Sequence, residues 1–210
     1  MFVRSIMIPK NNCITVEHND TLESALEKME SNKIEGLPVL KEGKYVGILT
    51  RNNIHEGFFL ANQSKGEYLK NTYVSQSACC QEKYLEGQEI FETTLIDLKD
   101  FPLLAVVDEQ KRFLGAVTRA DVLEQFQSAF GMNRPGVRIA FSSIETEGRI
   151  ARLAEIAHYF QEHIISLVTF DETDNLIRRM VMKVEKKDNI DKFVKKLEDS
   201  GFRVLDIHED

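Results

Sequence analysis

Thr50 and Asn53, and again Thr118 and Asp121, stand at the same spacing inside two near copies of one segment, "GILTRNNI" from Gly47 and "GAVTRADV" from Gly115. In each copy an apolar, strand-like run ends on Thr-Arg and passes into a helical pattern. At such a junction the free backbone N–H groups and the helix dipole favour an anion. A threonine hydroxyl adds one hydrogen bond to a phosphate, and Arg51 and Arg119 supply positive charge if they point inward. The carboxylate of Asp121, one turn into the helix, is acceptor-only and takes both donors of a ribose diol. The short apolar runs Leu37-Pro38 and Leu104-Ala105 would wall a purine ring. One ribonucleotide accounts for every feature of the second copy.

Thr-x-x-Asp is equally a helix N-cap with an acidic third residue. A cap explains the threonine and the aspartate. It does not explain the glycine before them, nor the return of a whole strand–turn–strand–helix unit. The two readings are compatible, since a threonine can cap until a ligand arrives. Asn53 has one neutral acceptor oxygen where Asp121 is charged, a difference of about 1–2 kcal/mol or roughly tenfold in affinity. Two unequal places are expected, with the Asp121 place dominant.

The elements that must position these residues repeat as well. "CITVE" reads as a short strand. A helix follows with Leu22, Ala25, Leu26 and Met29 on one face and a capping box from Asp20 and Glu23. "IEGLPVL" and "KYVGILT" are strands about the turn Glu42-Gly43, and a further helix starts near Arg51. In the second unit Phe91, Thr94, Leu95 and Leu98 form a helical stripe, and "FPLLAVVD" and "RFLGAVT" are strands. The next helix has Val122, Leu123, Phe126 and Phe130 on its apolar side. The stretch 61–80 between the units is polar and poorly periodic, and reads as a connection with one helical turn. "GMNRPG" (131–136) marks a domain boundary. Beyond it the order is βαββαβ, a ferredoxin-like pattern. Its first helix buries Ile150, Leu153, Ala154, Ala157 and Phe160, its middle strands flank a turn at "DETDN", and its second helix ends at a glycine C-cap. The expected fold class is therefore α/β (α+β), with domains at 1–66, 67–132 and 137–210.

The 210 residues carry a net charge of −7, which argues against broad attraction to nucleic acid or an anionic membrane. No apolar run is long enough for a membrane span, and "MFVRSIMIPK" lacks a signal-peptide cleavage site. Cys13, Cys79 and Cys80 suit a reduced, cytoplasmic protein better than a disulfide scaffold. The five histidines show no metal-ligand spacing. No nucleophile–base pair, paired carboxylates or P-loop appears, so no enzymatic activity and no metal are expected. Cys79-Cys80, the sole reactive-looking feature, reads as two small apolar residues near the start of a strand. No helix-turn-helix remains once the repeats are assigned.

"GLPVLKEGKYVGILTRNNI" and "LLAVVDEQKRFLGAVTRADV" resemble two cystathionine-β-synthase (CBS) domains in tandem, a Bateman module, over residues 1 to about 132. The first copy also has "NDTLESALEKM" and the Leu-Pro-Val strand; the second has Ala105 in place of the proline but keeps the Gly–Thr–Asp signature. The resemblance implies an adenine nucleotide (AMP, ADP or ATP) as regulatory ligand in clefts between the repeats. Thr118 and Asp121 would hold phosphate and ribose, with Thr50 and Asn53 in the matching places. Arg119, Arg51, Leu37, Pro38, Leu104, Ala105 and Ile14 complete the candidate binding residues. Residues 137–210 resemble an ACT domain, a dimerising regulatory module. Its ligand loop matches "IETEGRIARLAEI", with Gly148 at the family glycine and Glu145 and Glu147 able to attract an ammonium but repel a carboxylate. The order CBS–CBS–ACT resembles the acetoin-utilisation regulatory family of bacteria. It implies a homodimeric, nucleotide-sensing regulator with a protein target. Two alternatives stay open: a ligand-independent dimerisation scaffold, and an amino-acid sensor acting through the ACT domain.

Overall fold

The computed structural model describes residues 2–171 and 176–209, and the chain divides into two compact units, Met1–Leu123 and Glu124–Asp210. In unit 1, β1 (Ile8–Pro9) and β2 (Val16–Glu17) lead to α1 (Leu22–Asn32), β3 (Gly36–Lys41), β4 (Lys44–Thr50) and α2 (Arg51–Leu60). Two short helices, α3 (Lys65–Asn71) and α4 (Val74–Ser77), and β5 (Tyr84–Leu85) carry the chain to the second copy. There a 3-10 turn at Phe91–Thr93 runs into α5 (Thr94–Leu98), followed by β6 (Leu103–Val107), β7 (Phe113–Thr118) and α6 (Arg119–Ala129).

The apolar stripe of α1 is buried as its periodicity predicts, with Leu22, Ala25 and Met29 wholly inside. Its cap is Thr21, whose Oγ1 accepts from Ser24 N at 3.3 Å, and not Asp20. Asp20 instead pairs with Lys28 at 3.1 Å, a cation eight residues on that local reading cannot foresee. The stretch 61–80 is more ordered than its polarity predicts. Tyr68, Leu69 and Val74 are buried on the first core. Three apolar residues over two short helices are too sparse to register as a period. In the second copy Phe91, Thr94 and Leu98 are buried while Leu95 stays exposed. The five-residue α5 has room for one buried row. On α6 only Val122 is fully buried, and Leu123 is exposed.

The sheets of unit 1 explain the repeated glycine. One sheet runs β2-β3-β4 and the other β1-β7-β6-β5, each built on an antiparallel hairpin. In the second, Ile8 of β1 lies opposite Ala116 of β7. In the first, β4 pairs through Ile48 with Cys79, each residue donating to the other's carbonyl at 2.9 Å. The chain leading each copy thus closes the sheet of the other copy. A Cβ on Gly115 would stand 2.3 Å from Ile8 O, and one on Gly47 2.7 Å from Cys79 O. The group that needs a bare backbone at these two places is the protein's own main chain. The hairpin tips also meet: Tyr45 N donates to Lys111 O at 2.9 Å and Phe113 N to Gly43 O at 3.0 Å. Between the copies Leu40, Tyr45, Ile48, Leu103, Ala105, Val107, Phe113 and Ala116 form one buried cluster. Full burial of the Leu, Ile, Val and Phe side chains among them stabilises by about 1.5–3 kcal/mol each.

Unit 2 contains β8 (Val137–Ile144), α7 (Arg149–Tyr159), β9 (Ile164–Asp171), β10 (Ile177–Val184), α8 (Ile190–Asp199) and β11 (Arg203–Glu209). This is the βαββαβ order, in one antiparallel sheet of order β11-β8-β10-β9. Its core joins Ile139, Phe141, Leu153, Ile156, Met180, Met182, Phe193, Leu197 and Phe202. α7 buries Leu153, Ile156 and Ala157, with Phe160 packed beside them. Ile150 and Ala154 are exposed instead, because the buried row follows Leu153 at i+3, i+4 and i+7. Gly201, with φ +83°, ends α8 as the glycine predicts. The turn at "DETDN" lies outside the described residues apart from Asp171. The division falls within α6, upstream of Gly131–Gly136, because the end of that helix packs on unit 2. Ser166 Oγ donates to Phe130 O at 2.9 Å and Lys183 Nζ to Gly131 O at 3.1 Å. No helix among the described residues is long and apolar enough to cross a membrane.

Candidate functional site

The strand–helix junctions of unit 1 are built alike. Thr118 caps α6: its Oγ1 accepts from Asp121 N at 3.2 Å, while Thr118 N and Oγ1 donate to Asp121 Oδ2 at 2.8 and 2.6 Å. Thr50 and Asn53 make the same reciprocal box on α2, with Thr50 N and Oγ1 donating to Asn53 Oδ1 at 3.1 and 2.7 Å. Both copies therefore carry the cap that the pattern allows. The box occupies one carboxylate oxygen of Asp121 and keeps Oδ1 as a second acceptor. Asn53 spends its single oxygen on the box.

The repeated arginines face backbone carbonyls. Arg119 Nε donates to Leu98 O at 2.8 Å and Nη2 to Phe101 O at 3.2 Å. Arg51 Nε donates to Ile34 O at 3.3 Å, and its guanidinium lies 3.5 Å from Glu35 and 3.9 Å from Glu30. Each arginine ties the start of its helix to the chain that leaves the preceding one.

A cavity of about 460 Å³ opens at the Thr118 junction. Of the residues expected at a site, Thr118, Arg119, Pro38 and Ile14 line it. Asp121, in the first turn of α6, does not line it. Its charge reaches Cys13 on the cavity wall, where burial chiefly, and Asp121 in part, push the thiol up from its ordinary value. Leu37, Leu104 and Ala105 do not line the cavity: all three are buried, Leu37 in the first core and Ala105 in the cluster between the copies. Adjacent residues of a strand face opposite sides, so Gly36 and Pro38 take the wall beside Leu37, and Leu103 takes it beside Leu104. Sequence reasoning missed Cys13, Ile34, Gly36, Pro102, Ala116, Ala120 and Leu123 on this wall. Leu123 had a signal, as the one large apolar residue of α6 next to the motif. Ile8 and Cys13 had none, since the crossing of their segment onto β7 is a long-range event.

Thr50, Arg51 and Asn53 are not brought to this cavity; their junction faces Cys79, whose Sγ donates to Asn53 Oδ1 at 3.7 Å. Gly148, with φ +80°, lies in unit 2 on a separate cavity of about 360 Å³ lined by Ser143, Glu145, Glu147, Arg149 and Arg178 among others. There Arg149 donates to Ser143 Oγ at 2.6 Å and to Gly201 O at 2.8 Å, and Arg178 pairs with Glu145. Among the described residues no group of three or more His, Cys, Asp or Glu side chains is placed to hold a metal ion.

Comparison with known proteins agrees with the fold of unit 1. Residues 3–58 match the CBS domain family. Inosine-5'-monophosphate dehydrogenase of Methanocaldococcus jannaschii is 32% identical over 113 residues, 53% of this chain and 21% of that protein. The chain spans about a fifth to a third of the length of such curated relatives. A CBS domain-containing protein of Bacillus anthracis aligns over 60% of this chain and 93% of its own at 26% identity and a TM-score of 0.54. CbpB of Listeria monocytogenes, solved in complex with c-di-AMP, aligns over 60% and 94% at 26% identity and a TM-score of 0.52. CBSX2 of Arabidopsis thaliana, solved in complex with AMP, shares the fold at 20% identity and a TM-score of 0.51, over 60% and 95%. Unit 1 shares the mixed α/β fold of these CBS-domain structures, and the CBS domain match itself covers residues 3–58. Unit 2 adds a domain of βαββαβ, ferredoxin-like order.

Proposed function

We propose that the cavity at Thr118 binds an adenine nucleotide and that the protein is a nucleotide-sensing regulator. One observation carries the reading: a cavity with apolar walls from Ile14, Ile34, Pro38, Leu103 and Leu123 ends at the capped N-terminus of an eleven-residue helix. Its volume falls in the range of small-ligand sites, about 300–1,000 Å³. The walls suit a purine face, the helix start suits a phosphate, and Asp121 Oδ1 suits a ribose hydroxyl. The two structural relatives solved with AMP and c-di-AMP support the ligand class. Asn53, with its oxygen committed to Thr50, makes the other junction the weaker place. A homodimer, a protein target and a place in acetoin or carbon metabolism extend the reading by family resemblance.

Isothermal titration with AMP, ADP, ATP and c-di-AMP tests it. Asp121→Ala should weaken the best ligand about tenfold or more. Ala120→Trp, which fills the cavity without touching the capping box, should abolish binding. Unchanged affinity in both variants would overturn the assignment. The cavity around Gly148 favours a second reading, in which unit 2 acts as an ACT-type amino-acid sensor. Arg178 would face a carboxylate there and Glu147 an ammonium. Titration with a panel of amino acids separates the two.

A further inference from the structure

Cys79 and Cys80 are chemically active side chains that a nucleotide site does not use. Their sulfurs lie 2.7 Å apart, and both residues are free cysteines. Neither is fully buried, unlike the small apolar residues that the sequence suggests. Their backbone is pinned on both sides. Cys79 exchanges two hydrogen bonds with Ile48, and Cys80 O accepts from Tyr45 Oη at 3.1 Å and from Lys83 N at 3.0 Å. Cys80 has φ +64°, a left-handed conformation that non-glycine residues seldom adopt. The other non-glycine residues with positive φ, such as Lys33 and Glu42, end helices or turn hairpins. Strain of this kind gathers at functional sites. Here it accompanies two sulfurs held in contact against Asn53.

We propose that Cys79 and Cys80 are a reversible dithiol–disulfide pair, a redox modification site on the Asn53 side of unit 1. The oxidant is a small disulfide such as oxidised glutathione. The Cys80 sulfur attacks one sulfur of that disulfide, loses its proton and expels the first small thiol. The Cys79 sulfur then attacks Cys80 Sγ in the mixed disulfide, loses its proton and expels the second. The protein gives up two electrons and two protons, and the small disulfide leaves as two thiols. Burial first, and then the Cys80 contact, push the Cys79 thiol above its ordinary value. A ring closed between adjacent cysteines is strained, and strained disulfides are the easily reduced, regulatory ones. Oxidation also withdraws the S–H that Cys79 donates to Asn53. The site does not depend on the ligand read for the Thr118 cavity.

The test equilibrates the full chain with graded ratios of reduced and oxidised glutathione. Samples are quenched in acid, the remaining thiols are alkylated, and intact mass and peptide maps are read. The expected product has lost two hydrogens, is alkylated at Cys13 alone, carries a linked Cys79–Cys80 peptide and reverts with reductant. Cys13→Ser should keep this product. Cys79→Ser should stop at a single glutathione adduct on Cys80, and Cys80→Ser, without the opening nucleophile, should keep Cys79 as a thiol. Three thiols alkylated at every ratio would overturn the proposal. So would a wild-type glutathione adduct without loss of two hydrogens, or a disulfide to Cys13 or to a second chain.

Discussion

Arg51 and Arg119 hold the same place in two copies and do the same work, donating to the carbonyls that leave the preceding helix. Removing either guanidinium strands those acceptors. Arg119→Met should cost about 1 kcal/mol, at the low end for buried acceptors because the outer guanidinium atoms are exposed. Urea unfolding reads the cost, and titration calorimetry should find nucleotide affinity nearly intact. Unchanged stability with lost affinity would reverse the assignment and make Arg119 a ligand contact. The threonine and aspartate were legible because their spacing is local. The role of the arginines was not, since their partners are main-chain atoms that no side-chain pattern marks.

At the level of elements, the crossing of β1 onto β7 fixes the cavity and depends on a missing Cβ. Gly115→Ala places a methyl against Ile8 O and should destabilise by about 1–3 kcal/mol, visible as a lower midpoint of denaturation. A midpoint equal to wild type would mean that β1 can slide without loss. The helix α1 and the hairpin β3–β4 were readable from the period of their apolar residues and from Glu42-Gly43. The face that β3 and β6 turn to the cavity was not. Gly36 to Leu40 and Leu103 to Val107 are buried throughout, so no polar alternation separates cavity wall from core. α3 and α4 escaped notice for the opposite reason, too few apolar residues to form a pattern.

For the whole molecule, a ligand that binds only the folded unit 1 stabilises it by mass action, about 2.7 kcal/mol at a hundredfold excess over Kd. Hydrogen exchange with saturating nucleotide should therefore slow the amides of β7 and the first turns of α6. Protection gained only within 137–209 would move the ligand to unit 2. The repeat and the βαββαβ order made both units legible from sequence. The division itself was not, because Phe130 and Gly131 belong to unit 2 by bonds to Ser166 and Lys183, far along the chain. The exchange of leading segments between the two copies has a further consequence. A lone repeat would present a bare strand edge at β4 or β7, open to pairing with any chain that came by. The smallest piece that can be cut out, shuffled or grafted is the pair. A protease nick between the halves should leave them clasped, while halves made separately should find each other or precipitate.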